Sequence, residues 1–386
     1  MFELRNKTII VLSPQAWGKM FISKHHYAVE LAKLGNTVYF LNPPEKELTG
    51  RLLIESTTVA GLSIIRHRLN FSYNIKFRSI RLFHFFMRYQ VNKILEAIPG
   101  DIDIIWSFDS GYLYPLSFFP EHAIKIYHPV DEPSSAFAIK AAKGADIIFS
   151  VTTEILEKFE PFKIPLHFVN HGVIEDFFYA EDTISAKSPI RVGFSGNLLR
   201  PDIDTDTLLK IFRDNPSVIF ECWGSYRMED TNIGGNIDNE KARFIESIQK
   251  LPNVILHGVL SSQALAAAYR QMHAFLICYD INKDQSKGTN YHKIMEYLAS
   301  GSVVISNNVT TYKSRPELIQ MTTERGSNAH LPDLFKNVIN NIEWHNSIES
   351  RRTRISFAKE NLYTKQVSRI EVLLRNLKTV SHSTTA

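Results

Sequence analysis

The sequence has very little cysteine. Its two thiols, Cys222 and Cys278, both sit in apolar, strand-like runs, which argues against a disulfide framework and for a reducing, cytoplasmic compartment. Long apolar runs are missing too: none approaches the ~20 residues that a membrane-spanning helix needs. The first run, cut at Pro14, is too short for a secretory h-region and reads as a strand. Excess charge of one sign is also absent. A net charge of +4 over 386 residues gives no support to a nucleic-acid binder. There is no G-x-G-x-x-G fingerprint for a dinucleotide, and no internal repeat is visible.

What is present is ordinary globular composition, 44% hydrophobic and 22% charged, in a chain long enough for two domains. Short apolar runs alternate with helical periodicity. In the first half, strands are expected at Lys7–Ser13, Thr37–Leu41, Ile102–Ser107, Ala123–Tyr127, Asp146–Val151 and Leu166–Asn170, and helices at His25–Leu34, Ala138–Lys143 and Thr152–Phe159. The polar stretch 176–189 reads as a linker. Beyond it, strands are expected at Ile190–Ser195, Val218–Trp223, Val254–His257 and Ala274–Cys278. Helices are expected at Thr205–Arg213, 240–250 and 262–271, then a helical tail over 344–378 interrupted near Asn361. This alternation implies two α/β units with parallel sheets and helices on both faces. Open α/β sheets bind ligands beyond the carboxyl ends of their strands. That makes candidates of Gly18 and Lys19 in the first turn, and of His128 and Asp131 after a later strand.

Charge is unevenly spread. From Arg51 to Leu95 there are eight Lys/Arg against one acid, Glu55. Within this stretch Ile80, Phe83, Met87, Val91 and Ile94 follow a helical stripe, with Arg78, Arg81 and Arg88 on another face and Phe77, Phe85 and Phe86 outside the stripe. Residues 76–95 therefore read either as a core-facing helix with a solvated basic face or as a helix that lies on an anionic membrane surface.

The most informative stretch is S-K-G-T-N-Y-H-K-I-M-E-Y-L-A-S-G-S-V-V-I-S-N-N, residues 286–308. Gly288-Thr289 is expected to supply a turn and a hydroxyl cap for a helix starting near Asn290. Gly301 suits a left-handed C-terminus, and Val303–Ile305 a buried strand. Thr289, His292, Lys293 and Glu296 then share one helix face. The rise from Thr289 to Glu296 is about 10 Å at ~1.5 Å per residue, roughly the span from a diphosphate to its ribose. The expectation is an anion at the helix N-terminus and Glu296 on ribose hydroxyls.

Six stretches in order carry a family resemblance: H-H-Y-A-V-E-L-A-K-L-G-N-T-V, G-A-D-I-I-F-S-V-T-T-E-I-L-E-K-F, V-N-H-G-V-I-E-D-F-F, V-G-F-S-G-N-L, L-P-N-V-I-L-H-G-V-L and N-Y-H-K-I-M-E-Y-L-A-S-G-S-V-V-I-S. The chain resembles GT-B glycosyltransferases, in particular the large family that includes bacterial family 4 enzymes. The resemblance implies an α/β, GT-B fold of two facing Rossmann-like domains with a C-terminal helical segment. An acceptor-binding domain would span 1–185, joined by a helix near 363–380, and a nucleotide-sugar-binding domain 186–362. It implies that Glu296 holds the ribose and that Thr289 and Asn290 meet the donor phosphates. Gly196 and Asn197 would form the glycine loop under the diphosphate, followed by the basic Arg200. Gly258 and Val259 would read the base, His128 would stand near the reacting sugar, and Gly18 would be the first-domain glycine turn.

The sequence departs from the family at two places. Gly288 occupies the position of an earlier glutamate that usually touches the transferred sugar, and Thr205 stands where a lysine is usual, so Lys293 is taken to replace that charge. The D-x-D pairs at Asp101/Asp103, Asp202/Asp204 and Asp204/Asp206 lie at a strand start or in a helix first turn, where acids are favoured for other reasons; no metal and no cofactor is expected. His25-His26 reads as structural. The expected partners are a nucleoside diphosphate sugar, UDP- or GDP-linked, and a saccharide or lipid-linked acceptor. The expected activity is metal-independent, retaining hexosyl transfer in cell-surface polysaccharide or glycolipid synthesis, by a cytoplasmic enzyme peripheral to the inner membrane face. A nucleotide-sugar epimerase of the same fold and a non-catalytic nucleotide- or sugar-binding partner are the alternatives.

Overall fold

A computed structural model describes residues 2–18, 21–133, 135–179, 189–227, 239–284 and 287–383. The chain divides into two compact units, Met1–Asn170 with Tyr363–Ala386, and His171–Leu362.

In the first unit, fully buried β-branched runs become parallel strands covered on both faces. The elements are β1 (Thr8–Leu12), α1 (Ser23–Lys33), β2 (Thr37–Leu41), β3 (Leu52–Ser56), β4 (Leu62–His67), α2 (Ile80–Glu96), β5 (Ile104–Ser107), β6 (Ile124–Tyr127), α3 (Ala136–Lys140), β7 (Ile147–Ser150), α4 (Thr153–Glu157) and β8 (Leu166–Phe168). The sheet order is β3-β4-β2-β1-β5-β6-β7-β8, parallel except for β3. The Thr152 hydroxyl caps α4 through Ile155 N–H.

The second unit has β9 (Arg191–Ser195), α5 (Thr205–Asp214), β10 (Ile219–Trp223), α6 (Asn239–Gln249), β11 (Val254–Gly258), α7 (Ser262–Tyr269), β12 (Ala274–Ile277), α8 (Lys293–Ser300), β13 (Val303–Ser306), β14 (Ile319–Met321), α9 (Leu331–Asn340), α10 (Ile342–His345) and α11 (Ile348–Lys359). Its parallel sheet runs β11-β10-β9-β12-β13-β14. The last helix, α12 (Tyr363–Ser383), returns to the first unit, where it packs on α1.

Three differences from the sequence reading have physical causes. The hairpin β3–β4 lies inside the basic stretch, where Arg51, Arg66 and Arg68 hide its alternation. Arg66 holds Glu45 (Nε–Oε1 3.0 Å) and Glu55 (Nη1–Oε1 3.0 Å) across the hairpin edge. Residues 171–179 belong to the second unit rather than to a first domain ending at 185. Val173 N–H donates to Asn361 O (3.1 Å) and Phe177 packs on Tyr269; positions 180–188 of the expected linker lie outside the described residues. Finally, α8 starts at Lys293, not near Asn290, and has no side-chain cap. Thr289 is tied elsewhere: its carbonyl accepts from Thr311 N–H (3.1 Å) and Thr311 Oγ1 (2.5 Å). The face shared by Thr289, His292, Lys293 and Glu296 is therefore not a helix face; only Lys293 and Glu296 are within α8.

Candidate active-site residues

In the second unit, parallel strands place Gly196, Gly224, Gly258, Tyr279 and Asn307 along one sheet edge. Gly196 N–H donates to Trp223 O (2.9 Å), and a side chain at Gly224 would collide with Gly196 O, since a Cβ there would lie 2.0 Å from it. The two strand-end turns thus touch through backbone. Asn197 uses its side-chain carbonyl on Leu199 N–H (2.9 Å), which shapes the turn that carries Arg200. Gly258 takes φ +76 and accepts from Gly224 N–H (2.8 Å), leaving Val259 exposed.

Arg200 is anchored by Asp202 (Nε–Oδ1 2.8 Å) and lies over the Tyr279 ring at 5.8 Å. Hydrogen bonding to Asp202 holds the guanidinium firmly in its charged form against the effect of burial. Asp204 caps α5 through Thr207 N–H (3.0 Å), and Asp103 accepts from Thr8 N–H (2.9 Å). These carboxylates of the D-x-D pairs are occupied by the chain's own donors.

Buried Asp284 organises the turn before α8. It accepts from Gly288 N–H (2.9 Å) and from the Tyr291 hydroxyl (2.7 Å). Gly288 is at φ +65, and a Cβ there would lie 2.9 Å from Asn308 O and 3.1 Å from Ile281. A glutamate at this position would be strained, both by the left-handed backbone and by the approach to Asn308 O. Thr289 and Asn290 follow, both buried. In the first turn of α8, Lys293 Nζ lies 3.0 Å from Glu296 Oε2. Glu296 is a partly buried carboxylate; burial raises the pKa of the nearby Tyr179, Tyr269 and Tyr297 hydroxyls, and the Glu296 charge adds to it in a smaller measure. Tyr297 donates its ordering to the glycine turn by accepting Ser195 N–H (2.9 Å). At its other end α8 is held by α11: buried Arg351 reaches Ser300 O (3.2 Å) and buried Arg354 reaches Gly301 O (2.9 Å). Gly301 is left-handed at φ +81.

In the first unit, His128 follows β6 at the sheet edge and is buried. Trp106 Nε1–H donates to its Nδ1 (3.3 Å), so the neutral ring carries its proton on Nε2. The ring stacks on Phe108 at 5.0 Å. On the same Phe108 ring, at 6.0 Å, sits Lys24 Nζ. Lys24 is 2% exposed, bonds to Gln15, and burial lowers its pKa to about 8, opposed by the charges of Asp131 and Asp109. Asp131 is exposed. Asp109 accepts from the N–H groups of Gly111 (2.8 Å), Leu113 (2.6 Å) and Tyr114 (3.2 Å), and burial raises its pKa. Gly18 is exposed, with nothing within 4 Å of a Cβ added there, and Trp17 beside it packs into Phe21, His25 and Phe40. Lys19 lies outside the described residues. Sequence reasoning missed Lys24. The available signal is a lysine in a helix first turn, where the dipole disfavours a cation.

The alternating units and these two sheet edges define an α/β protein of GT-B architecture. No protein-family model and no curated protein sequence matches the chain. Solved structures do. Sucrose-phosphate synthase from Thermosynechococcus elongatus aligns at 12% identity with a TM-score of 0.68, over 97% of this chain and 100% of the other. Trehalose 6-phosphate synthase from Burkholderia multivorans aligns at 12% identity and 0.67, over 99% of both. HepE of Anabaena, in complex with UDP and glucose, aligns at 11% identity and 0.63, over 95% and 99%. These likenesses show the GT-B fold.

Proposed function

We propose that the protein is a hexosyltransferase that moves a sugar from a UDP- or GDP-linked donor to a hydroxyl of a saccharide or lipid-linked acceptor. The observation that carries this reading is the second unit's sheet edge, where the Gly196 turn, Arg200, and the Lys293–Glu296 pair occur together. A departing diphosphate gathers negative charge. The backbone N–H of Asn197 in the Gly196 turn and those at Thr289-Asn290, with Arg200 and Lys293, would stabilise it without a metal ion, the Gly196 N–H being spent on Trp223 O. Glu296 would bond the ribose, and Gly258-Val259 would meet the base. His128 would donate from Nε2 to the transferred sugar, with Asp131, Gly18 and Lys19 on the acceptor side. Configuration would be retained, and the product would enter cell-surface polysaccharide or glycolipid at the inner face of an anionic membrane.

The test is turnover with a panel of UDP- and GDP-sugars, offered with soluble sugar phosphates and with lipid-linked saccharides, with and without EDTA. Product formation that EDTA does not slow is the expected result. Nucleotide binding without turnover would instead establish a binding protein, and interconversion of the free donor sugar an epimerase.

A further inference from the structure

The second unit holds a cavity of about 300 Å³ that none of Gly196, Arg200, Lys293 and Glu296 lines. It lies where the N-terminus of α5, the start of α6, the loop after β12 and the loop between β14 and α9 meet. Its floor is fixed by buried polar side chains. Thr205, 5% exposed, donates from Oγ1 to Glu240 (3.1 Å). Asn328, 7% exposed, donates from Nδ2 to Asp204 (2.9 Å) and to Tyr279 O (2.8 Å). Its rim has capacity to spare. Asp206, in the first turn of α5, is exposed and has no side-chain partner among the described residues. Arg325 is exposed and donates from Nη2 to Lys287 O (2.9 Å). Lys283 stands 4.0 Å from Glu240 and 3.9 Å from Asp280, too far for a hydrogen bond to either.

Small-molecule sites are mostly apolar and about 300–1,000 Å³ in volume. This cavity is at the small end, and its only apolar side chains among the described residues are Ile203, Ile281 and Ala329. A ligand there is held by hydrogen bonds rather than by apolar burial. An anion is disfavoured, because the carboxylates of Asp204, Asp206, Glu240 and Asp280 line the cavity against two cations. A metal ion is disfavoured as well, since among the described residues no group of three His, Cys, Asp or Glu is placed to hold one. Carboxylate acceptors facing guanidinium and ammonium donors suit a row of hydroxyls, each of which both donates and accepts. We infer that this cavity is a second saccharide site, taking one hexose unit, separate from the donor residues. It backs onto the donor turn. Asp280 O accepts from Asp284 N–H (2.8 Å), Asp284 accepts from Gly288 N–H (2.9 Å), and Arg325 holds the carbonyl of Lys287, the residue before Gly288. Lys287 is itself left-handed at φ +54. The saccharide class follows from the lining and does not depend on transfer at the donor residues.

The experiment is saturation-transfer NMR on the full chain, saturated with UDP, with the methyl glycosides of glucose, galactose, mannose and N-acetylglucosamine and with maltotriose. Binding of at least one of them, undisturbed by UDP, is expected. Tighter binding of maltotriose than of methyl glucoside would place a saccharide chain in the cavity, and equal binding a single free sugar. Asp206→Ala should lose about tenfold in affinity, the effect of a hydrogen bond to a charged group. Ala329→Trp, which fills the cavity from its exposed rim, should abolish binding. Both positions are exposed, and calorimetric UDP affinity, expected to be unchanged in both variants, reports separately on the fold and on the donor reading. The inference is overturned if no saccharide binds, or if UDP displaces those that do. It is equally overturned if both variants bind as wild type does, or if glycine betaine, a zwitterion, competes with every saccharide that binds.

Discussion

Glu296→Ala separates a ribose contact from a phosphate contact on one helix turn. The Glu296 side chain is 16% exposed, and its two oxygens lie 3.2 and 3.0 Å from Lys293 Nζ. Losing the Lys293 pair matters little, since an i,i+3 ion pair on a helix contributes ~0.2–0.5 kcal/mol. Losing an acid from the first turn of α8 removes ~0.3–1 kcal/mol of dipole stabilisation, which a small drop in melting temperature would report. The large effect is on ligand. A hydrogen bond from ribose to a charged carboxylate is worth about 1.5–3 kcal/mol, and about 1.4 kcal/mol is tenfold in affinity. The dissociation constant for UDP should therefore rise about 10- to 150-fold by calorimetry. Pyrophosphate, which has no ribose, should bind Glu296→Ala as well as wild type or better, because Lys293 is released. Lys293→Ala should weaken both ligands. Unchanged UDP affinity in Glu296→Ala, or an equal loss for UDP and pyrophosphate, would refute the ribose assignment.

Restoring the family's glutamate should harm the protein. Gly288→Glu places a side chain at φ +65 against Asn308 O and Ile281, and should destabilise by about 1–3 kcal/mol in urea unfolding; an unchanged midpoint would show that the turn relaxes freely. Stability should also fall with acid. Burial lowers the pKa of His25, His67 and His171 to about 4, against about 6.5 in an unfolded chain. Between those values the unfolded chain binds more protons, so each histidine removes about 1.4 kcal/mol per pH unit as pH drops through the window. The bonding agrees: His25 Nδ1 accepts Ile22 N–H (3.2 Å) and His67 Nδ1 lies 3.2 Å from the Gln90 amide, positions that a second ring proton would oppose. Urea midpoints at pH 7, 5.5 and 4.5 measure the slope, and a flat series would contradict it.

The GT-B class was legible because its evidence is local. Runs such as Ile9–Leu12 and Val303–Ile305 declare themselves as strands buried on both faces, and helix caps such as Thr152 and C-terminal glycines such as Gly301 mark ends within a turn. The family motifs are local as well, and they placed Glu296, Lys293 and Arg200 on elements that the structure reproduces. What failed depended on distant partners. The hairpin β3–β4 was concealed because the charge of Arg66 is answered by Glu45, 21 residues away, and by Glu55, 11 residues away on the facing strand. The start of α8 was misplaced because Thr289 is claimed by Thr311, 22 residues on.

The sequence alone thus determined the two α/β units, their alternation and the edge residues of each sheet, since strand and helix periodicity are properties of neighbouring residues. Only the tertiary structure decided which charges face water. Lys24 and Lys76 are buried and Arg351 and Arg354 bind the carbonyl end of α8, while Arg78, Arg81 and Arg88 stay outside with Phe77 and Phe85. The physical reason is that a long cationic side chain has no fixed address in sequence. It is buried where remote carbonyls and rings replace its water, and it remains a surface group where none do.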